Sequence, residues 1–173
     1  MEVLIEFGKI LLPASVVLYA VYLMVRSFII KEIELKKLDV RDRSIEITLP
    51  IRLQAYERIT LFLERISPQN LLIRLSDPGY KARDFQKILL DEIRNEYNHN
   101  VSQQVYMSEE VWSQVRNARE DLIMLINEAA SKMTVDSNAV DLSKRIFEMA
   151  LEKKLDPIGH AISELKKEIQ QTF

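Results

Sequence analysis

The chain has no cysteine and only three glycines among its 173 residues. Without cysteine there can be no disulfide, no thiolate nucleophile, no cysteine-ligated zinc and no lipid-modified amino-terminal cysteine. The glycines stand alone at Gly8, Gly79 and Gly159, so no glycine-rich loop can cradle a phosphate. A G-x-S-x-G nucleophile elbow is absent as well. The formal net charge is −2, and no block of like charge stands out. A nucleic-acid binder needs a basic stripe, so nucleic acid is not an expected partner. Scarce glycine and prolines placed as breaks make this a helical composition.

What the chain does have is one long apolar run. Residues 10–25, ILLPASVVLYAVYLMV, contain no charge, and Ile10–Ile30 is interrupted only by Arg26. As a helix that run is roughly 31 Å long, close to the hydrocarbon thickness of about 30 Å. Arg26 near its end could snorkel to the headgroups, and Lys31 follows it as a second membrane-interface anchor. Pro13 near the start sits where a missing N–H costs least. Tyr19 and Tyr22 have no obvious place in this scheme and could face a partner or the inner interface. A cleaved signal peptide would need a basic start and a small-residue cleavage site. Glu2 and Glu6 outnumber Lys9, and no such site follows. A buried core helix would show a polar face, and none is apparent from Ile10 to Val25.

Basic residues set the expected orientation. Arg26, Lys31, Lys36, Lys37, Arg41 and Arg43 follow the run, against Lys9 before it. The positive-inside rule then puts the short amino-terminus outside and the rest in the cytoplasm. About 140 residues remain beyond the anchor, enough for a domain with its own core. Residues 31–48 read as a juxtamembrane helix and linker, in which Ser44–Thr48 alternates polar and apolar residues as an extended segment would. Residues 49–173 read as a helical domain. Pro50 is expected to open an amphipathic helix with Ile51, Ala55, Ile59, Phe62, Leu63 and Ile66 on one face. Ser67-Pro68 caps the next, and Ser76–Gly79 is a turn. A helix over about Lys81–Gln104 should follow. Ser108 caps a helix whose buried stripe is Val111, Val115, Ala118, Leu122, Ile126 and Ala129. Ser137 is the expected cap of a helix carrying Leu142, Ile146 and Met149. Asp156-Pro157 opens the last helix, with Ile158, Ile162, Leu165 and Ile169 on one face. Short connections between amphipathic helices point to an antiparallel bundle.

The most unusual stretch is Asp91–Tyr106. On a helix, Glu92, Glu96, His99 and Gln103 fall within about 40° of Phe85, while Ile93, Tyr97 and Val101 move to another side. Either the buried face rotates along this helix, or a polar row enters the interface and every group in it needs a partner. Glu96-x-x-His99 has the spacing of a metal-binding carboxylate and imidazole. The second copy a di-iron site requires is missing, because the residue three before His160 is Pro157. Asn100-Val101-Ser102 matches a glycosylation sequon, which a cytoplasmic position would make irrelevant. Tyr106 and Trp112 flank a helix start and read as packing residues.

The segments Leu49–Leu75 and Glu92–Ser108 resemble an uncharacterised family of membrane-anchored helical proteins from Bacteroidota. The resemblance runs from the anchor to about Ala130. It implies a bacterial inner-membrane setting, and it transfers no catalytic role to any residue. It also draws attention to Glu92, Arg94, Glu96, Tyr97, His99, Asn100, Ser102, Gln103 and Gln104, which match the family's second motif and overlap the polar row.

Taken together, these features describe an all-α, single-pass inner-membrane protein with a cytoplasmic antiparallel helical bundle. The expected role is non-enzymatic, as an interaction or scaffold protein without a cofactor. Its partners would be the bilayer and another protein or a second copy. Two alternatives stand beside it: a metal-binding protein or enzyme using Glu92, Glu96 and His99, and a stalk-like subunit of a membrane complex. Breaks at Pro50, Pro68 and Pro78 count against the stalk.

Overall fold

The computed structural model describes residues 2–152 and 156–172; the side chains of residues 2–8, 10, 12–13, 38–45 and 172 lie outside the described set. Every described element is helical: α1 (Glu2–Ile66), α2 (Pro68–Leu75), α3 (Ala82–Asn100), a 3₁₀ helix (Val101–Tyr106), α4 (Glu109–Ser131), α5 (Ala139–Glu152) and α6 (Pro157–Thr172). The chain separates into two compact units, Met1–Leu49 and Pro50–Phe173.

Within the first unit, Ala14–Lys37 is long and apolar enough to cross a membrane, with mean hydropathy 1.6 and none of its most apolar window buried.

Two expectations for the following segment fail. Ser44–Thr48 is helical, not extended, and Pro50 lies within α1 and does not open a new helix. An extended segment needs a neighbouring strand to satisfy its N–H and C=O groups. The described residues contain no named strand, and the helix meets that need internally. Pro50 still leaves the Glu46 carbonyl without its N–H partner, at a cost of about 3 kcal/mol. The turns beyond it are held by packing, since Ala55, Tyr56, Ile59, Phe62, Leu63 and Ile66 are all buried. Ile51, expected on that face, is 44% exposed.

The second unit has one continuous apolar core, with Trp112, Phe62 and Phe85 among its largest fully buried side chains. Helix α4 is central. It packs most extensively on α6, and also on α5 and α3. Its expected stripe, from Val111 to Ala129, is buried, joined by Trp112 and Leu125. Ile158 and Leu165 of α6 are buried as expected, with Ala161 between them, and Ile162 and Ile169 pack partly buried against the core.

Local polar groups end and start these helices. Ser67 accepts from the Asn70 amide ahead of Pro68. Ser108 Oγ accepts from the Val111 amide at 3.2 Å. Asp156 Oδ1 accepts from the Gly159 amide at 2.8 Å. A Cβ on Gly159 would stand 2.2 Å from Asp156 Oδ2, so glycine leaves that carboxylate room to cap. Asp77 accepts from the Gly79 amide in the expected turn.

The start of α5 corrects the sequence reading. Asn138, not Ser137, is the cap: its Oδ1 accepts from the Val140 and Asp141 amides at 2.9 and 3.1 Å. Asp141 returns the favour by accepting from the Asn138 amide at 3.0 Å, which makes a reciprocal capping box. Ser137 instead closes the preceding turn through the Thr134 amide. The same turn pairs with the start of α3, as Ala82 N donates to Ser137 O and Ala139 N donates to Tyr80 O, both at 3.0 Å. Asn138→Ala should therefore lower unfolding stability in denaturant titrations by about 1 kcal/mol, with Ser137→Ala costing less.

Candidate functional site

Helix α3 resolves the question posed by the polar row. Its buried face rotates. Ala82, Phe85, Leu89 and Ile93 are buried, and the apolar line passes on to Tyr97 and Val101, which pack against the core. Residues spaced by four advance about 40° per step, so a line of i, i+4 contacts winds around the helix. The α-helix ends at Asn100, short of the expected Gln104, and tightens into the 3₁₀ turn Val101–Tyr106.

This winding divides the motif residues. Glu92 pairs with Arg74 of α2 at 2.5 Å, and Glu96 pairs with Arg65 at the end of α1 at 2.6 Å. Arg74 also donates to the Arg65 carbonyl at 3.5 Å. The two carboxylates thus fasten α3 to the α1–α2 corner. Asn100 is buried and its Nδ2 donates to the Glu96 carbonyl at 2.9 Å, which leaves the sequon asparagine turned inward. Gln103 is half-buried and bonds Ser102 at 3.2 Å. Arg94, His99 and Gln104 are exposed, Arg94 making only a local pair with Asp91.

Tyr97 sits in an aromatic stack. Its ring lies 5.9 Å from Trp112 at an interplanar angle of 27°, and 6.1 Å from Phe62 in a tilted arrangement. The Arg119 guanidinium carbon lies 3.9 Å from the centroid of the Tyr97 ring. Arg119 Nε is buried without a hydrogen-bond partner. The electron-rich ring face partly compensates it, while the outer end of the guanidinium pairs with Glu120.

The strongest polar cluster was not anticipated from sequence. Glu168 of α6 accepts from the Tyr56 hydroxyl at 2.5 Å, from the Ser108 amide at 3.0 and 3.3 Å, and from the Ser108 hydroxyl. Arg52 Nη2 donates to the Tyr56 hydroxyl at 2.9 Å and lies 3.7 Å from Glu168. Its Nε reaches the Tyr106 carbonyl at 3.2 Å. One carboxylate thereby joins α1, the start of α4 and α6. Burial pushes the Glu168 carboxyl up, but the hydrogen bonds from Ser108 and Tyr56 and the Arg52 charge outweigh it, and the net shift is downward. Burial raises the Tyr56 hydroxyl, and its bond to Glu168 adds to this against the opposing influence of Arg52. A signal did exist in the sequence: Tyr56 adjoins the apolar stripe of α1, and Glu168 follows Leu165 by one turn.

Chemically, both clusters are suited to holding helices together. Glu92 and Glu96 already have arginine counter-ions, which compete with a cation for the same oxygens. Among the described residues, no three histidine, aspartate or glutamate side chains gather as a metal site. Two shallow depressions flank the motif. Arg65, Asn95, Glu96 and His99 line one, and Ile51, Gln54, Arg58, Ser102, Gln103, Val105 and Tyr106 line the other.

Two measurements separate these roles. Glu92→Ala and Glu96→Ala should each cost no more than about 1 kcal/mol in denaturant unfolding, because their arginines reach solvent. Tyr97→Ala should cost about 3 kcal/mol or more. For Glu168, a lowered folded pKa means that its contribution is complete above its ordinary value of 4.5 and is lost as pH falls through the folded value. For Tyr56, a raised pKa means that the contribution is complete below 10.0 and is lost as pH rises through the folded value. Thermal unfolding should show both flanks. Glu168→Gln should flatten the acid one and Tyr56→Phe the alkaline one, each costing about 1–3 kcal/mol at neutral pH.

No curated protein and no solved structure matches the chain. A family model does match, over residues 2–172, and it extends through the carboxy-terminal region beyond Ala130 that the sequence resemblance left unplaced. The chain belongs to that family, a family of unknown function designated DUF7935.

Proposed function

We propose that this is a single-pass, non-enzymatic interaction protein of the bacterial inner membrane, its amino-terminus outside and its carboxy-terminal domain an antiparallel helical bundle in the cytoplasm. The observation that carries this reading is the exposed span Ala14–Lys37 at mean hydropathy 1.6. Apolar surface of that extent is costly in water and at home in lipid. The excess of Lys and Arg after the span supports the orientation. A docking role is supported by the division of the motif. Its inward members are engaged in the fold, while Arg94, Asn95, Asn98, His99, Ser102 and Gln104 line the exposed side of α3 and the following turn.

One observation favours the stalk reading as a runner-up: α1 continues through Pro50, where a break was expected. The interruptions at Ser67-Pro68 and Ser76–Gly79 remain.

The cysteine-free chain makes topology directly measurable. Glu2→Cys should react with a membrane-impermeant maleimide in intact cells, and Gln171→Cys should react only after lysis. Labelling of Gln171→Cys in intact cells overturns the orientation, and release of the protein by alkaline carbonate overturns the anchor. Cross-linked purification from native membranes should recover a stoichiometric protein partner, and repeated recovery of the chain alone counts against the docking role.

A further inference from the structure

Within the bundle, the exposed edge of α1 carries a line of five residues. Ile51, Gln54, Arg58, Leu61 and Arg65 follow one another at spacings of three, four, three and four. That keeps them within an arc of about 80°. Both depressions that flank the motif open along this line. The first lies between Ile51, Gln54 and Arg58 and the 3₁₀ helix, and the second between Arg65 and the end of α3. End to end they make one furrow, roughly 21 Å long on the α1 side. Single exposed apolar residues are ordinary. Here four large ones border the same furrow: Ile51, Leu61, Val105 and Tyr106 are 44%, 55%, 73% and 39% exposed.

Arg58 stands in that border without a counter-ion. It has no hydrogen bond or ion pair among the described residues, and no acidic side chain lines its depression. Glu57 and Glu64 of the same helix lie about 100° or more around it. In the second depression Arg65 and Glu96 already neutralise each other. The furrow is therefore apolar with one uncompensated positive charge.

Its walls decide the form of the occupant. Both are helical, with their N–H and C=O groups bonded within their own turns, so no strand edge is offered to an extended chain. An occupant must satisfy its own backbone, as a helix does. Resting on the docking reading, we infer that the furrow receives an amphipathic helix of a different protein, with apolar residues at spacings of three and four and a carboxylate facing Arg58. Charge disfavours a second copy. Beyond α1, only α5 exposes two large apolar residues one turn apart, Phe147 and Leu151. The exposed Lys144 falls within about 60° of both, and would meet Arg58 with like charge. The carboxylates beside them, Glu148 and Glu152, already share Arg145.

The test is photo-cross-linking of the full-length protein in its native membranes. The amino acid p-benzoylphenylalanine is placed at Leu61, at Val105, or at the exposed Leu151 of α5. Leu61 and Val105 should yield the same heterologous protein, joined through one helical segment with an Asp or Glu among its apolar residues, and Leu151 should not. Arg58→Glu should cut the yield by about tenfold, and Arg58→Lys should retain most of it. Replacing the partner's acidic residue by Arg should restore the yield with Arg58→Glu. All variants should unfold at the temperature of the unsubstituted protein. The inference is overturned by adducts of two copies only, by lipid adducts only, by equal yield from Leu151, by indifference to Arg58→Glu, or by failure of the charge exchange to restore the yield. A stoichiometric partner recovered from native membranes without adducts at Leu61 or Val105 overturns this inference alone. Recovery of the chain without any partner overturns the docking reading, so the two failures are distinguishable.

Discussion

One carboxylate holds together parts of the domain that are far apart in sequence. Glu168 of α6 collects the amide and hydroxyl of Ser108 at the start of α4 and the hydroxyl of Tyr56 on α1, with Arg52 beside them. The start of α4 would otherwise present free amide donors, and Glu168 brings negative charge to that end, where the helix dipole favours it. Ser108 serves twice, accepting from Val111 within its own helix and donating to Glu168 across helices. A hydrogen-bonded network fixes relative placement more sharply than apolar packing, because its geometry has few equivalent solutions. The core around Trp112 supplies the larger burial, and the carboxylate orients the helices that share it.

A second fastening lies along α3. The pairs Arg74–Glu92 and Arg65–Glu96 hold its exposed flank to the α1–α2 corner, while Tyr97 enters the core between Phe62 and Trp112 under Arg119. The motif that looked like a single polar row is thus three things at once. Its carboxylates are clasps, its Tyr97 and Asn100 turn inward, and Asn95, Asn98 and His99 remain on the surface. A spacing such as Glu96-x-x-His99 places two groups on one helix face but does not reveal which partner another helix has brought to them.

That contrast explains what was legible in the sequence. Helix caps and apolar stripes depend on residues within a few positions of each other, and Ser67, Ser108, Asp156 and the Val111–Ala129 stripe were read from such local patterns. Ser44–Thr48 misled because alternation is only half of a strand; the other half is a partner to pair with. Ser137 misled because Asn138, one residue on, offers an acceptor of better reach, with Asp141 positioned to complete the box. Glu168 was invisible because its partners lie 60 and 112 residues away. Only the proximity of Tyr56 and Glu168 to apolar stripes marked them, since a polar group beside a buried face needs an answer.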